Sequence, residues 1–279
     1  MTISIITDSS SDIPNDLCAD LGILVVPCHV LMDGEDYKDG IDISSTDFYR
    51  RLPTSKTFPT TSQPSIPEFQ ALYEQELNRG HDIISIHVSS KLSGTVNSAT
   101  QAKSALGDPP NITVIDSKLA SFALGLVTLK AAQLATQDTD LESIYKSILD
   151  LCERTHCIVA LDTLDNLYRG GRIGKAQAFL GGMLNVKPIL HLRDGEVHPL
   201  ERSRSLTRAT NRLYQIFEKH LPITDLGVIY STNNANSDYL SELLLTSDIA
   251  TKPILSQFGP TLGTHVGPNA IGICFITSR

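Results

Sequence analysis

The chain has 279 residues, a net charge of −8, 41% hydrophobic and 19% charged residues, which suits a globular protein of about two domains at ~150 residues each. The acidic balance disfavours nucleic acid and anionic membrane as generic partners. No basic leader, signal-type apolar stretch or bilayer-length run is visible, so the expected location is the cytoplasm.

Strand and helix signals alternate from the start. A strand at residues 3–6 runs into a turn of Thr7, Asp8, Ser9, Ser10, Ser11 and Asp12, and a helix is expected over 15–21. A second strand covers 23–27, and residues 30–37 read as a hairpin about Asp33 and Gly34. A short helix at 47–52 precedes a loop at 60–64, and an amphipathic helix at 66–79 is closed by Gly80. The strand at 82–88 turns through hydroxyl residues and Gly94 into a helix rich in alanine and glutamine. A strand at 112–115 and a long apolar helix at 120–137 follow. This alternation predicts a doubly wound, mostly parallel sheet. From about residue 157 a second set begins: strands at 157–161 and 186–192, a hairpin at Asp194-Gly195, a helix near 176–184, a long helix at 205–221, and strands at 226–230 and 270–276. The expected fold is α/β with two domains. Residues 1–155 form an N-terminal α/β domain, 156–279 a C-terminal α+β domain with a mixed sheet, and segments are free to cross the approximate boundary. The five cysteines (Cys18, Cys28, Cys152, Cys157, Cys274) are odd in number, scattered and without a CxxC pair, which argues against a disulfide framework and a zinc site.

Four strand-end loops concentrate Ser, Thr, Asp, His and Gly: residues 7–12, 60–64, 89–95 and 264–269. Ligands of α/β sheets usually sit beyond the carboxyl ends of strands, and a helix N-terminus there favours an anion. Ser93 and Thr95 offer neutral hydroxyls beside such a terminus, or cap the helix. His265 precedes a Gly-Pro turn where backbone can approach a ligand closely.

Taken in order, Thr7-Asp8-Ser9, Thr61-Ser62-Gln63-Pro64, Ser89 to Thr95, Asp116-Ser117, Leu164-Asp165-Asn166-Leu167 with Gly170-Gly171-Arg172-Ile173, Lys187-Pro188-Ile189-Leu190 and His265-Val266-Gly267-Pro268 resemble the DegV family of bacterial fatty-acid-binding proteins over essentially the whole chain. Asn269 stands where a glycine is common in that family. The resemblance implies one long-chain fatty acid in a tunnel between two domains. Its carboxylate would meet Thr61 and Ser93 with His265 close by, on loops supported by Ser62, Gly94, Thr95 and Gly267. It further implies a non-catalytic carrier, with no metal and no cofactor beyond the bound fatty acid. A partner fatty acid kinase would form the acyl phosphate, and a transient membrane contact is compatible with that role. Neutral hydroxyls suit such a head group, because they donate to a carboxylate without a strong ion pair.

The stretch from Arg169 to Arg212 is basic within an acidic chain. Arg169, Arg172, Arg202 and Arg204 are the expected docking contacts for an acidic partner, whereas Arg208 and Arg212 read as solvated helix positions. A competing reading is a serine hydrolase built on Ser93 and His265 with Asp8 or Asp116. The chain lacks Gly-x-Ser-x-Gly around Ser93, which weakens that version. A nucleotide or phosphate binder ranks below both, since no P-loop or convincing GxGxxG is present.

Overall fold

The structure is a computed structural model that describes residues 2–137, 140–180, 186–232, 235–246 and 252–279. Strand β1 (Ile3–Asp8) leads through a 3-10 turn (Ser9–Ser11) to helix α1 (Asn15–Leu21) and strand β2 (Leu24–Val26). A hairpin of β3 (His29–Met32) and β4 (Glu35–Lys38), helix α2 (Ser45–Arg51) and strand β5 (Thr60–Ser62) come next. Helix α3 (Ile66–Asn78) starts where the sequence says it should: Ser65 and Glu68 form a reciprocal capping box and proline occupies the first turn. Strand β6 (Asp82–His87), helix α4 (Thr95–Ala105), strand β7 (Ile112–Asp116), helix α5 (Ser121–Ala135) and helix α6 (Leu141–Arg154) complete this half.

Strands β2-β1-β6-β7 form one parallel sheet in that spatial order. The chain runs from β1 outward to β2 and then returns to the other side of β1 at β6. The winding direction therefore reverses between β1 and β6, and the crevice beyond their carboxyl ends is the switch point where such sheets take ligands. Strand β5 pairs with β3 in a separate three-stranded antiparallel sheet. Residues 60–62, expected as loop, are thus a strand. Their alternate side chains are polar and mostly exposed, so only the backbone pairing marks them as one.

All six strands of the remaining sheet lie after residue 154. They are β8 (Thr155–Ala160), β9 (Lys187–Arg193), β10 (Glu196–Ser203), β11 (Ile223–Tyr230), β12 (Ile254–Gln257) and β13 (Ile271–Thr277), in the order β10-β9-β8-β13-β11-β12. Every pairing is antiparallel except β11 with β12, so the sheet is mixed. Asp194 and Gly195 both take positive φ at the β9–β10 turn, as a two-residue hairpin of primed type requires. The helices of this half are α7 (Asp165–Arg169), α8 (Leu206–Phe217), α9 (Ala235–Thr246) and α10 (Pro260–Val266). The helix expected near 176–184 is a 3-10 segment at Gly174–Phe179, and residues 181–184 lie outside the described ones.

The layers follow from side-chain polarity. Helices α3 and α4 cover one face of the parallel sheet, and α8 and α9 cover one face of the mixed sheet. Between the two sheets lies α5, buried along most of its length, which explains its mostly apolar sequence; Lys130 breaks the run and pairs with Asp225 of β11 at 2.8 Å. The helix touches β1 and β6 on one side and β8, β11 and β13 on the other. Gly125 lets the 3-10 turn approach, since a Cβ there would fall 2.6 Å from the Ser11 carbonyl oxygen.

Candidate functional site

A cavity of about 280 Å³ opens beside the N-terminus of α5, at the switch point of the parallel sheet. Both halves of the chain build it. Ser10, Cys28, Thr61, Val88, Leu92 and Ser93 come from the first half, and Leu161, Leu190, Val197, Phe258 and His265 are among the residues from the second. On β8 and just past its end the residues alternate: Cys157, Val159 and then Leu161 line the cavity, whereas Ile158 and Ala160 pack under α8.

The polar groups are gathered by contact. Thr61 Oγ1 lies 3.0 Å from His265 Nε2, a bond between residues 204 apart in the chain. Gln63 turns its side chain over Gly94 and donates to Ser98 Oγ at 3.1 Å, which ties β5 to the start of α4. Helix α4 begins at Thr95 with Gly94 as its cap residue, which has no side chain to cap it; the Thr95 amide donates to Ser93 Oγ at 3.4 Å, so Ser93 holds the first amide of the helix. Ser93 Oγ and Thr95 Oγ1 also bond each other at 2.8 Å. Thr95 is fully buried, while Ser93 lines the cavity. Among the described residues Ser93 shares no hydrogen bond with Thr61 or His265. Ser62 sits beside Thr61 on β5 and also lines the cavity.

His265 comes from α10, not from the loop expected there. The helix has only seven residues with a glycine inside it, too little periodic signal to read. Gly267 ends it with positive φ, packed against Asn166, whose Nδ2 donates to the Thr264 carbonyl at 3.1 Å. Asn269 has φ +62°, a left-handed conformation that asparagine tolerates best after glycine. Burial, helped by the Arg172 charge, lowers the His265 pKa to about 4 and keeps the ring neutral. Its Nδ1 is buried without a partner and faces Gly170. A lone acceptor is cheaper to bury unpaired than an N–H, so we assign the ring proton to Nε2. Nε2–H then donates to Thr61 Oγ1, and the Thr61 hydroxyl hydrogen is free to point into the cavity.

The opposite wall is quieter. Ser10 Oγ donates to Asp8, Ser121 Oγ to Asp12 at 2.8 Å, and the Thr261 amide to Asp39 at 3.2 Å. Burial raises the carboxyl pKa of Asp12 strongly and that of Asp39 to about 6. Asp8 also accepts from Val88 N at 3.1 Å and pairs with His87 Nδ1 at 3.0 Å. It thereby fixes three cavity-lining segments at Ser10, Val88 and, through a weak sulfur contact, Cys28. This support was missed as such in the sequence, though its Thr-Asp-Ser-Ser run was the available signal.

The hydrolase reading finds no support in this arrangement, because His265 takes Thr61 as partner. A Ser–His–Asp chain does occur elsewhere: Ser85 Oγ, His87 Nε2 at 2.6 Å and Asp8. All three residues are fully buried and Ser85 also accepts from Tyr73, so no substrate reaches them. Among the described residues no group of His, Cys, Asp and Glu could hold a metal, and no helix is long and apolar enough to cross a membrane.

At the rim, Arg172 Nε donates to the Leu92 carbonyl at 3.1 Å, Ser89 Oγ to the Gly195 carbonyl at 2.8 Å, and Lys91 pairs with Glu196 at 3.0 Å. Arg169 lies 4.1 Å over the Phe58 ring and Arg202 4.3 Å over that of Phe179. Arg204 is exposed.

The family model described as "Uncharacterised protein, DegV family" matches residues 2–278. A DegV domain-containing protein of Caldanaerobacter subterraneus subsp. tengcongensis is 38% identical over 277 residues, 98% of each chain. Among solved structures, a fatty-acid-binding DegV family protein of Thermus thermophilus superposes with a TM-score of 0.93 at 34% identity, and DegV of Bacillus subtilis, also a fatty acid binding protein, with 0.89 at 35%; both cover 100% of each chain. The chain belongs to the DegV family.

Proposed function

We propose that this protein carries one long-chain fatty acid in the cavity, with the carboxylate held by Thr61 and Ser93 and with His265 behind Thr61. The observation that carries this reading is a mainly apolar cavity whose lining gathers Thr61, Ser62 and Ser93, with Thr61 bonded to His265. Enclosure is what a carrier must supply. At ~0.8 kcal/mol per CH₂, about 15 methylenes gain roughly 12 kcal/mol on leaving water, but almost nothing on leaving a lipid phase. A buried carboxylate needs several convergent donors, and a neutral His265 relays one through Thr61 without competing for charge. The fatty-acid-binding relatives support the ligand class.

The finer parts of the proposal are these. The chain divides near residue 155 into two domains with the ligand between them. It acts in the cytoplasm as a non-catalytic subunit, and a partner kinase phosphorylates the presented carboxylate. Arg169 and Arg202, each stacked on an aromatic ring, with Arg172 and Arg204, form the docking face, since a stacked guanidinium is preorganised for an acidic partner. A transient touch on a membrane surface would load the carrier.

The test is mass spectrometry of the protein as purified, native and then after organic extraction. A stoichiometric fatty acid that is lost in Thr61→Ala/Ser93→Ala, with fold retained, is expected. A protein that is empty and takes up no added fatty acid refutes the proposal.

A further inference from the structure

Cys157 on β8 and Cys274 on β13 are direct cross-strand partners, with Sγ atoms 3.6 Å apart. The ladder defines how they face each other. Ser231 N donates to the Ala270 carbonyl just beyond the β11–β13 pairing of Tyr230 with Ile271. Even-numbered residues of β13 therefore aim their backbone at β11, and Cys274 meets Cys157 as a non-hydrogen-bonded pair. Such pairs have Cα atoms ~4.5 Å apart, the closer of the two antiparallel spacings, at the short end of the ~4.4–6.8 Å that a disulfide spans. Both cysteines are reduced. Cys157 lines the cavity, while Cys274 is fully buried behind it.

We propose that Cys157 and Cys274 are a peroxide-responsive dithiol, reached through the cavity, which closes to a disulfide when the cavity is empty and is shielded when an acyl chain fills it. The shielding clause rests on the fatty-acid reading; the dithiol does not. The Cys157 sulfur attacks one oxygen of a peroxide, the O–O bond breaks, and the other oxygen leaves as water, giving a sulfenic acid. The Cys274 sulfur then attacks the Cys157 sulfur, the S–S bond forms, the S–O bond breaks and a second water departs. In sum, two thiols and one hydrogen peroxide give one disulfide and two waters.

The order of attack follows from position. Cys274 is sealed and its thiol, raised well above the usual range by burial, donates to the Cys157 sulfur, so Cys157 meets the oxidant and Cys274 resolves. The other cysteines are poorer targets. Burial first, and nearby carboxylates second, push Cys28 up strongly, Cys18 to about 11 and Cys152 to about 12, and among the described residues none of the three has the thiol neighbour that Cys157 has in Cys274. A disulfide across a close antiparallel pair is strained and hence reducible, as a reversible device needs.

Protein stripped of lipid on a hydrophobic resin is exposed to hydrogen peroxide, alone and saturated with palmitate, and mapped by mass spectrometry without reduction. The empty protein is expected to lose two of its five thiols and to yield a Cys157–Cys274 linked peptide. Palmitate is expected to slow this at least tenfold. Cys274→Ser is expected to stop at a sulfenic acid on Cys157, captured by a cyclic 1,3-dione. Five surviving thiols, or oxidation confined to Cys18, Cys28 or Cys152, overturn the dithiol. Equal rates with and without bound palmitate overturn the cavity route. A disulfide that forms in a protein taking up no fatty acid leaves the dithiol standing and removes the carrier reading instead.

Discussion

Replacing Gly170 by alanine isolates the contact that aims His265. Gly170 ends α7 with φ −76° and ψ −7°, a conformation alanine adopts freely, so the backbone bears no strain. By itself such a change stabilises by about 0.4–1 kcal/mol through the unfolded state. Here the new Cβ would fall 2.8 Å from His265 Cε1 and closer still to Nδ1. Overpacking of this kind costs about 1–3 kcal/mol, and the ring relieves it by turning away from Thr61. The expected net effect is about 1 kcal/mol of lost stability. Losing the Thr61–His265 bond, worth about 1 kcal/mol, should weaken fatty acid binding by roughly fivefold. Urea unfolding and displacement of a fluorescent fatty acid measure the two effects. The decisive comparison is a double-mutant cycle with His265→Ala, where the ring is gone, only the 3.1 Å approach to the Asn166 carbonyl remains and Gly170→Ala should be close to neutral, a coupling of about 1–3 kcal/mol. An equal cost in both backgrounds, or unchanged affinity in the single variant, would refute the reasoning.

Other outcomes follow from the same geometry. His265 titrates at about 4 in the folded state against an ordinary 6.5. A depressed value means that its stabilising contribution is complete above pH ~6.5 and is lost as pH falls towards 4, roughly 3 kcal/mol at 1.36 kcal/mol per pH unit. Asp39, raised to about 6, slopes the opposite way, so the check is the difference between wild type and His265→Gln in urea midpoints at pH 7 and pH 4.5; identical pH slopes would exclude the assignment. Asp8→Ala strands the His87 ring and the Val88 amide in the interior and should cost about 2–6 kcal/mol, about 1–3 for each unpaired buried group; an unfolding midpoint within error of wild type would show that Asp8 is not the support described. Charge reversal of Arg169 or Arg202 should leave fatty acid affinity intact while lowering partner-dependent acyl phosphate formation about tenfold; full turnover in both would remove the docking face.

What the sequence disclosed was local. The strand, hydroxyl turn and helix around Ser93 were readable because the apolar run, Gly94 and the helix formers lie within twenty residues of one another. The β9–β10 hairpin was readable from Asp194-Gly195 alone. Thr61 was legible as a polar residue of interest but not as part of a strand, since β5 has no buried face to impose a period of two. The Thr61–His265 pairing spans most of the chain and depends on α10, so before folding only the family resemblance joined the two. Similarly, α5 announced its burial by being apolar on every face but the one that carries Lys130 and Gln133. Nothing in its residues said that two different sheets would do the burying.

That last arrangement constrains how any ligand could enter and leave the cavity. A helix that serves as the common interior of both sheets cannot be abandoned by either without exposing a largely apolar surface to water. Wholesale separation of the sheets, in the manner of opening jaws, would therefore approach the cost of unfolding. Entry and exit are left to the few ties at the rim: the Lys91–Glu196 pair, the Ser89 hydroxyl on the Gly195 carbonyl and the Arg172 guanidinium on that of Leu92. Each is worth only ~1 kcal/mol or less net.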